Sequence, residues 1–90
     1  MLSIAVCDDE MLPCCMLSKM IREILDELKI PCTIRQFYNG TALLQEAGNF
    51  DILFLDILMQ EPDGMETARR LRQKSSDQIL IFISSSRDYV

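Results

Sequence analysis

Three short apolar runs divide the chain and predict buried strands. They span residues 2–7, 52–55 and 79–83 and contain almost no polar side chains. Short runs without alternation are typical of strands that are covered on both faces, as in the centre of a parallel sheet. A fourth run, at residues 32–37, alternates apolar with polar side chains and predicts a more exposed edge strand.

Helical periodicity occupies the stretches between these runs. Residues 11–28 predict an amphipathic helix closed by Pro31, and its apolar side is expected to comprise Leu17, Met20, Ile21, Ile24 and Leu28. A short helix is predicted over residues 41–47. A third runs from Asp63, its N-cap, to about Lys74, and a fourth is expected to begin after Ser86.

The resulting order, β-α-β-α-β-α-β, predicts one α/β domain with a doubly wound parallel sheet. The second strand is the polar one and the other three are apolar, which favours the spatial strand order 2-1-3-4. Because crossovers between parallel strands are right-handed, the first helix is expected on one face of the sheet and the second and third helices on the other.

Carboxylates and a hydroxyl stand where three of the strands end. Asp8 and Asp9 follow the first strand, Asp56 follows the third and Ser84 follows the fourth. Any one of them alone could be an ordinary loop or N-cap residue. In the order 2-1-3-4, however, the ends of strands one and three are neighbours at the switch point, where open α/β sheets bind their ligands. We therefore expect these side chains to converge.

Three neighbouring carboxylates repel one another and favour a hard cation. Few oxygen ligands suit Mg²⁺, which keeps several waters and also binds phosphate oxygens. A carboxylate beside Mg²⁺ can attack phosphorus as a nucleophile, in a transfer that depends on positioning and on neutralising the phosphoryl charge.

Composition narrows the classes of function. The net charge of −5 argues against direct binding of nucleic acid, and the absence of His removes the commonest general base.

The four cysteines form no CxxC pair, which argues against a zinc or thioredoxin-like site. They either form disulfides or, as we expect for a cytoplasmic protein, are buried reduced thiols. No run is long enough to span a membrane. The basic residues of the third helix form either a basic patch or, as we expect, a solvated face: Arg69, Arg70, Arg72 and Lys74.

Taken together, Asp8-Asp9-Glu10, Asp56 within Leu-Asp-Ile-Leu-Met, Asp63-Gly64 and Ser84 resemble the receiver domain of two-component response regulators, which has the flavodoxin-like (CheY-like) fold. The resemblance implies that Asp56 accepts a phosphoryl group from the phosphohistidine of a sensor histidine kinase or from a small phosphodonor. It also implies that Ser84 is the switch hydroxyl and that Mg²⁺ is held by Asp8, Asp9, Asp56 and the backbone carbonyl of Leu58.

Two departures from the family pattern follow from the same comparison. Gln60 stands where the family usually has Pro, a loop change that we expect to be tolerated. The family also continues with a fourth helix, a fifth strand that ends in a Lys, and a fifth helix. Residues 1–90 are expected to be the N-terminal portion of a receiver domain, from the first strand to the start of the fourth helix, with no substitute for that Lys among Lys19, Lys29 and Lys74.

The missing elements predict an apolar, unpaired fourth strand. We expect either that the 90 residues belong to a longer protein or that another chain, such as a second copy or a swapped partner, covers this strand.

Three functions are compatible with these residues. The first is a phosphoacceptor switch that controls an output domain and is not a turnover enzyme. Its expected effect is transcription regulation, in which only the output domain would contact DNA. The segments 37–40 and 50–51 are similar to receivers that precede LytTR-type domains. The second is a receiver-like interaction module that no longer phosphorylates. The third is a phosphotransferase of the haloacid-dehalogenase type. That class resembles this chain in having an Asp after a strand, but its motif is Asp-x-Asp, whereas here Asp56 is followed by Ile57 and Leu58.

Overall fold

The computed structural model describes residues 1–74 and 77–84. The start of a fourth helix after Ser86 lies outside the described residues. The described elements are the strands β1 (Leu2–Cys7), β2 (Cys32–Phe37), β3 (Ile52–Asp56) and β4 (Ile79–Ile83), the helices α1 (Met11–Glu27), α2 (Gly40–Glu46) and α3 (Gly64–Lys74), and a 3₁₀ turn (Ala47–Asn49).

The strands form one parallel sheet in the order β2-β1-β3-β4, as predicted. Cys7, at the end of β1, lies opposite Phe37 of β2 and Leu55 of β3. Asp56 lies opposite Ile83 of β4. The carboxyl ends of β1, β3 and β4 therefore meet at one edge of the sheet.

Each face of the sheet carries its own apolar core. The core under α2 and α3 includes Leu43, Leu53, Leu55 and Leu71, all of which are almost fully buried. The core under α1 is smaller and is built from Ile4, Val6, Cys14, Ile21 and Cys32. This arrangement confirms the predicted distribution of the helices over the two faces.

The predicted apolar side of α1 is only partly correct. Ile21 is buried and Leu17 is partly buried, but Met20, Ile24 and Leu28 are 50–62% exposed. The side that faces the sheet consists of Cys14, Ser18, Ile21 and, in part, Leu17 and Leu25. The apolar stripe is wider than the contact with the sheet, and periodicity does not show which part of a stripe is covered.

The helix α1 ends at Glu27, one residue before the predicted end at residue 28. Lys29 has a positive φ of 58°, the left-handed conformation that commonly closes a helix. The N–H of Ile30 donates to the carbonyl of Leu25 at 2.9 Å, which completes the turn.

Strand β4 is more exposed than its apolar sequence predicts. Ile79, Ile81 and Phe82 are 38–58% exposed, so the expectation of a fully buried strand is wrong for the part of the chain that the structure describes. The prediction of an apolar edge holds, because β4 is the last strand in the described sheet. Burial on both faces needs covering elements, which the composition of a strand does not provide.

The cysteines are all free thiols. Cys7, Cys14 and Cys32 are buried, as expected, whereas Cys15 is exposed on α1. Burial raises the pKa of the Cys7 thiol to about 12 and that of Cys14 to about 11, so both are protonated near neutral pH.

The basic side of α3 is a solvated face. Arg69 and Arg70 both pair with Glu66, and all three lie at the surface of the helix. Among the described residues, no helix is long and apolar enough to cross a membrane.

Candidate functional site

Three carboxylates converge at the carboxyl edge of the sheet. One oxygen each of Asp8, Asp9 and Asp56 lies within 4.8 Å of the others, a spacing at which all three could hold one metal ion. Asp8 and Asp56 are almost fully buried, with 1% and 0% of their surface exposed, whereas Asp9 is the accessible member. The structure thus brings together the three acids that the sequence singled out.

The ends of two strands hold the buried acids in place. The N–H of Asp8 donates to the carbonyl of Phe37 at 3.0 Å, and the Asp8 carboxylate accepts from the N–H of Glu10 at 2.9 Å. Beyond Asp56, the N–H of Ile57 donates to the carbonyl of Ile83 at 2.9 Å. Both acids are therefore fixed where an extended strand turns away from the sheet.

The loop after β3, residues 57–63, is hydrogen-bonded to two of the acids. The N–H of Leu58 donates to Oδ1 of Asp56 at 3.1 Å, and the N–H of Gln60 donates to Oδ2 of Asp9 at 3.0 Å. Asp63 caps α3 as predicted, because its carboxylate accepts from the N–H of Glu66 at 2.9 Å. The loop is therefore tied at one end to the acids and at the other to a helix.

Burial and mutual repulsion make Asp8 a weak acid. Desolvation is the main cause of a pKa of about 6, and the charge of Asp56, a hydrogen bond to Asp56 and the charge of Asp9 raise it further. The hydrogen bond from Glu10 opposes these effects. The cluster thus favours a bound positive charge, either a proton or a cation.

The donor set fits Mg²⁺. All three side chains offer hard carboxylate oxygens, and the exposure of Asp9 would leave a bound ion accessible to water and to a phosphoryl oxygen. Leu58 is held beside Asp56 through its N–H, while its carbonyl as a further ligand stays a prediction.

Ser84 lies one residue beyond Ile83, the strand partner of Asp56, and is exposed. Its approach to the acids and its role as the switch hydroxyl stay predictions. Lys29 follows the C-terminus of α1 and Lys74 ends α3. A helix that joins parallel strands ends near the opposite edge of the sheet, so neither residue lies at the carboxyl edge.

Two features of the site were not predicted. The first is the peptide N–H of Gln60 on Asp9, at a position treated only as a tolerated loop change. The second is Gly64, which packs directly against the backbone of Asp56 and Ile57. The segment Asp63-Gly64 signalled a helix start, but nothing local in the sequence shows which backbone a glycine will meet.

A cluster of three acids at the switch point of a parallel sheet with the strand order 2-1-3-4 defines a doubly wound domain of the CheY type. The family model of the response regulator receiver domain matches residues 4–90. The chain therefore belongs to the response regulator receiver domains of two-component systems.

Individual relatives agree with this assignment. An uncharacterised response regulatory protein of Vibrio cholerae is 37% identical over 84 residues, which cover 91% of this chain and 31% of that protein. Among solved structures, the response regulator TrrA of Thermotoga maritima in complex with Mg²⁺-BeF is 31% identical, with a TM-score of 0.71 over 99% of this chain and 74% of that one. TrrA in complex with the histidine kinase ThkA is 30% identical, with a TM-score of 0.68 over 99% of this chain and 73% of that one. The chain spans less than a third of the length of the curated relatives that it matches.

Proposed function

We propose that this receiver domain is a signalling switch in which Asp56 accepts the phosphoryl group and Mg²⁺ assists the transfer. The observation that carries the proposal is the convergence of Asp8, Asp9 and Asp56 at the switch point of the sheet. The likeness to the receiver family assigns the role of nucleophile to Asp56, which ends the inner strand β3, while Asp8 and Asp9 follow the other inner strand, β1.

In the proposed transfer, a carboxylate oxygen of Asp56 attacks the phosphorus of a phosphohistidine. The new P–O bond forms as the P–N bond breaks, and the electron pair of that bond stays on the imidazole nitrogen. Bound Mg²⁺ would neutralise negative charge on the phosphoryl oxygens. The N–H of Leu58 holds Oδ1 of Asp56 and so orients the carboxylate before attack.

Asp8 and Asp9 complete the proposed site. At neutral pH, above the pKa of about 6, Asp8 is mainly ionised, so its carboxylate is available to a cation. Asp9 faces the solvent side, where the phosphoryl donor arrives. The hydroxyl of Ser84 would donate to a phosphoryl oxygen on Asp56, and this contact would draw the end of β4 toward the modified site.

Phosphoryl uptake tests the proposal directly. The chain is incubated with acetyl phosphate and Mg²⁺, and intact-mass spectrometry is used to count the phosphoryl groups gained. We expect one group on the wild type and none on Asp56→Asn. Asp26→Asn, an exposed position on α1, is the matched control and should label like the wild type.

Two outcomes contradict the proposal: a wild type that stays unlabelled, or an Asp56→Asn variant that labels normally. Binding of beryllofluoride with and without Mg²⁺ then distinguishes the remaining possibilities. A wild type that binds beryllofluoride only with Mg²⁺ has a working site, and one that does not bind it is a receiver-like module without phosphorylation.

The proposed partners follow from the class of protein. TrrA, a similar receiver, has been solved in complex with the histidine kinase ThkA, which supports a sensor histidine kinase as the phosphoryl donor. We further propose a cytoplasmic switch that does not turn over substrate and that acts on an output domain, with transcription regulation as its effect. The acidic charge of −5 supports contact with DNA only through that output domain.

The apolar edge of β4 is the second proposed contact. Ile79, Ile81 and Phe82 are exposed there, and an open apolar edge strand is prone to association. We propose that this edge is covered in the working protein, either by a further segment of the same protein or by a second copy. Analytical ultracentrifugation of the 90 residues tests the second copy, and a well-folded monomer at low concentration would contradict it.

A further inference from the structure

We propose that the loop of residues 57–63 and the start of α3 position the acids, through the close approach of Gly64 to the backbone of Asp56 and through the hydrogen bond from the N–H of Gln60 to Asp9. Neither group reacts. Gly64 sets how closely the loop and α3 approach Asp56, and Gln60 holds Asp9. The inference rests on the proposed function, because it concerns the cation and phosphoryl site of that function.

Glycine is required at position 64 because the backbone of Asp56 and Ile57 lies too close for a side chain. A Cβ added there would overlap the carbonyl oxygen of Asp56 and would lie only 2.6 Å from Cα of Ile57 and 2.9 Å from the carbonyl carbon of Asp56. Its φ is not positive, so the requirement is space and not a left-handed conformation. The N–H of Gly64 also donates to the carbonyl of Ile57 at 3.1 Å, which fastens the start of α3 to the end of β3.

The close approach matters because backbone atoms cannot rotate away as a side chain does. Carbon atoms in ordinary contact lie about 3.5 Å apart, so an alanine at Gly64 must push the backbone of Asp56 and Ile57, or the start of α3, by about 1 Å. That displacement reaches the candidate nucleophile directly. A misplacement of about 1 Å can cost about 100-fold in rate.

Gln60 acts on the acid that is otherwise least restrained. Asp9 is the accessible carboxylate, and repulsion from Asp8 and Asp56 favours its turning out toward water. The N–H of Gln60 holds Oδ2 of Asp9 at 3.0 Å and leaves the other oxygen for a cation. A proline at this position has no N–H, so Gln60→Pro would remove the hydrogen bond without changing the length of the loop.

The first experiment compares glycine variants. Gly64→Ala is expected to raise the Kd for Mg²⁺, measured by isothermal titration calorimetry, about 10-fold or more and to slow labelling by acetyl phosphate at saturating Mg²⁺ by about 10- to 100-fold. Gly48→Ala is the matched control, because a Cβ at Gly48 meets nothing within 4 Å. Leu43→Ala is a second control, which weakens the buried core through a residue of α2.

Circular dichroism first establishes that each variant is folded. A role limited to stability predicts that Gly64→Ala behaves like Leu43→Ala, with a lower unfolding midpoint and an unchanged Kd for Mg²⁺, and this result would overturn the role of Gly64. A raised Kd in Gly64→Ala alone supports it.

A second pair of variants decides the matter even when Gly64→Ala does not fold. Gln60→Pro lacks the N–H and Gln60→Ala keeps it, and proline is the residue that the family usually carries there. Loss of one hydrogen bond is expected to raise the Kd for Mg²⁺ about 2- to 10-fold in Gln60→Pro relative to Gln60→Ala. Equal Kd values in the two variants would refute the positioning role.

The wild type, measured in the same series, distinguishes a failure of the proposed function from a failure of the positioning role. A wild type that binds no Mg²⁺ and takes up no phosphoryl group contradicts the proposed function itself. A wild type that does both, with Gly64→Ala and Gln60→Pro unchanged, contradicts only the positioning role.

Discussion

Replacing Asp8 by asparagine should stabilise the metal-free protein while abolishing its response to Mg²⁺. The Asp8 carboxylate is buried, and burial together with the neighbouring charges raises its pKa from 3.8 to about 6. The folded protein therefore holds this proton more tightly than the unfolded chain does. Asparagine has the same shape, keeps an oxygen for the N–H of Glu10 and carries no charge.

The size of the effect follows from the two pKa values. Below the pKa that the acid has in the unfolded chain, the acid is protonated in both states and does not change the free energy of unfolding. As the pH rises from that value through the higher pKa of the folded state, the free energy of unfolding falls. A rise from 3.8 to about 6 corresponds to about 3 kcal/mol at pH 7.5 and to about half of that at pH 5. Asp8→Asn should therefore gain up to about 3 kcal/mol in the free energy of unfolding at pH 7.5, and clearly less at pH 5.

Urea unfolding followed by circular dichroism is the assay, run with EDTA or with Mg²⁺ at both pH values. We expect Mg²⁺ to stabilise the wild type at pH 7.5 and to leave Asp8→Asn unchanged. Asp26→Asn, on the exposed side of α1, serves as the control for removing one negative charge from the surface. A metal-free Asp8→Asn protein that is less stable than the wild type at pH 7.5 would contradict a destabilising charge on Asp8, and so would a gain in stability that is equal at both pH values.

Three further predictions concern the site and its scaffold. The Kd of the wild type for Mg²⁺ should rise as the pH is lowered through about 6, because a proton on Asp8 competes with the cation. Calorimetry at several pH values measures this Kd, and a Kd that does not change with pH would contradict Asp8 as a ligand. Leu43→Ala should lower the free energy of unfolding by about 3 kcal/mol, because Leu43 is fully buried. Leu28→Ala, the same substitution at a residue that is 62% exposed, should lower it far less. Similar losses for the two variants in urea unfolding would contradict the described core. Asn39→Ala should cost about 1 kcal/mol, because its side chain caps α2, and equal midpoints for Asn39→Ala and the control Asn49→Ala would argue against that cap.

The order of the strands could be read from hydrophobic pattern because few topologies satisfy it. Three apolar runs and one alternating run leave the alternating strand at an edge, and right-handed crossovers then determine the face of each helix. The convergence of Asp8, Asp9 and Asp56 followed from this topology, because the carboxyl ends of neighbouring parallel strands meet. Particular side-chain contacts were not needed for that step.

The helix α1 and the strand β4 show where pattern alone fails. Met20 and Ile24 belong to the same periodic stripe as Ile21, yet only Ile21 is buried, because the covered part of a stripe depends on how the helix docks. Phe82 lies in a run as apolar as that of β3, yet it is 40% exposed, because burial depends on what packs over a strand. Both properties belong to the arrangement of elements and not to any single segment.

The kinds of elements, their order and the acids at the edge of the sheet could be predicted from the amino-acid sequence, since they depend on local periodicity and on topology. The pKa of Asp8, the hydrogen bond from Gln60 to Asp9 and the close approach of Gly64 to Asp56 are visible only in the folded protein. Each of these depends on distances of a few ångströms between residues that are far apart in the chain or lie on opposite sides of a turn. Such distances are set by packing, and packing is a property of the whole fold.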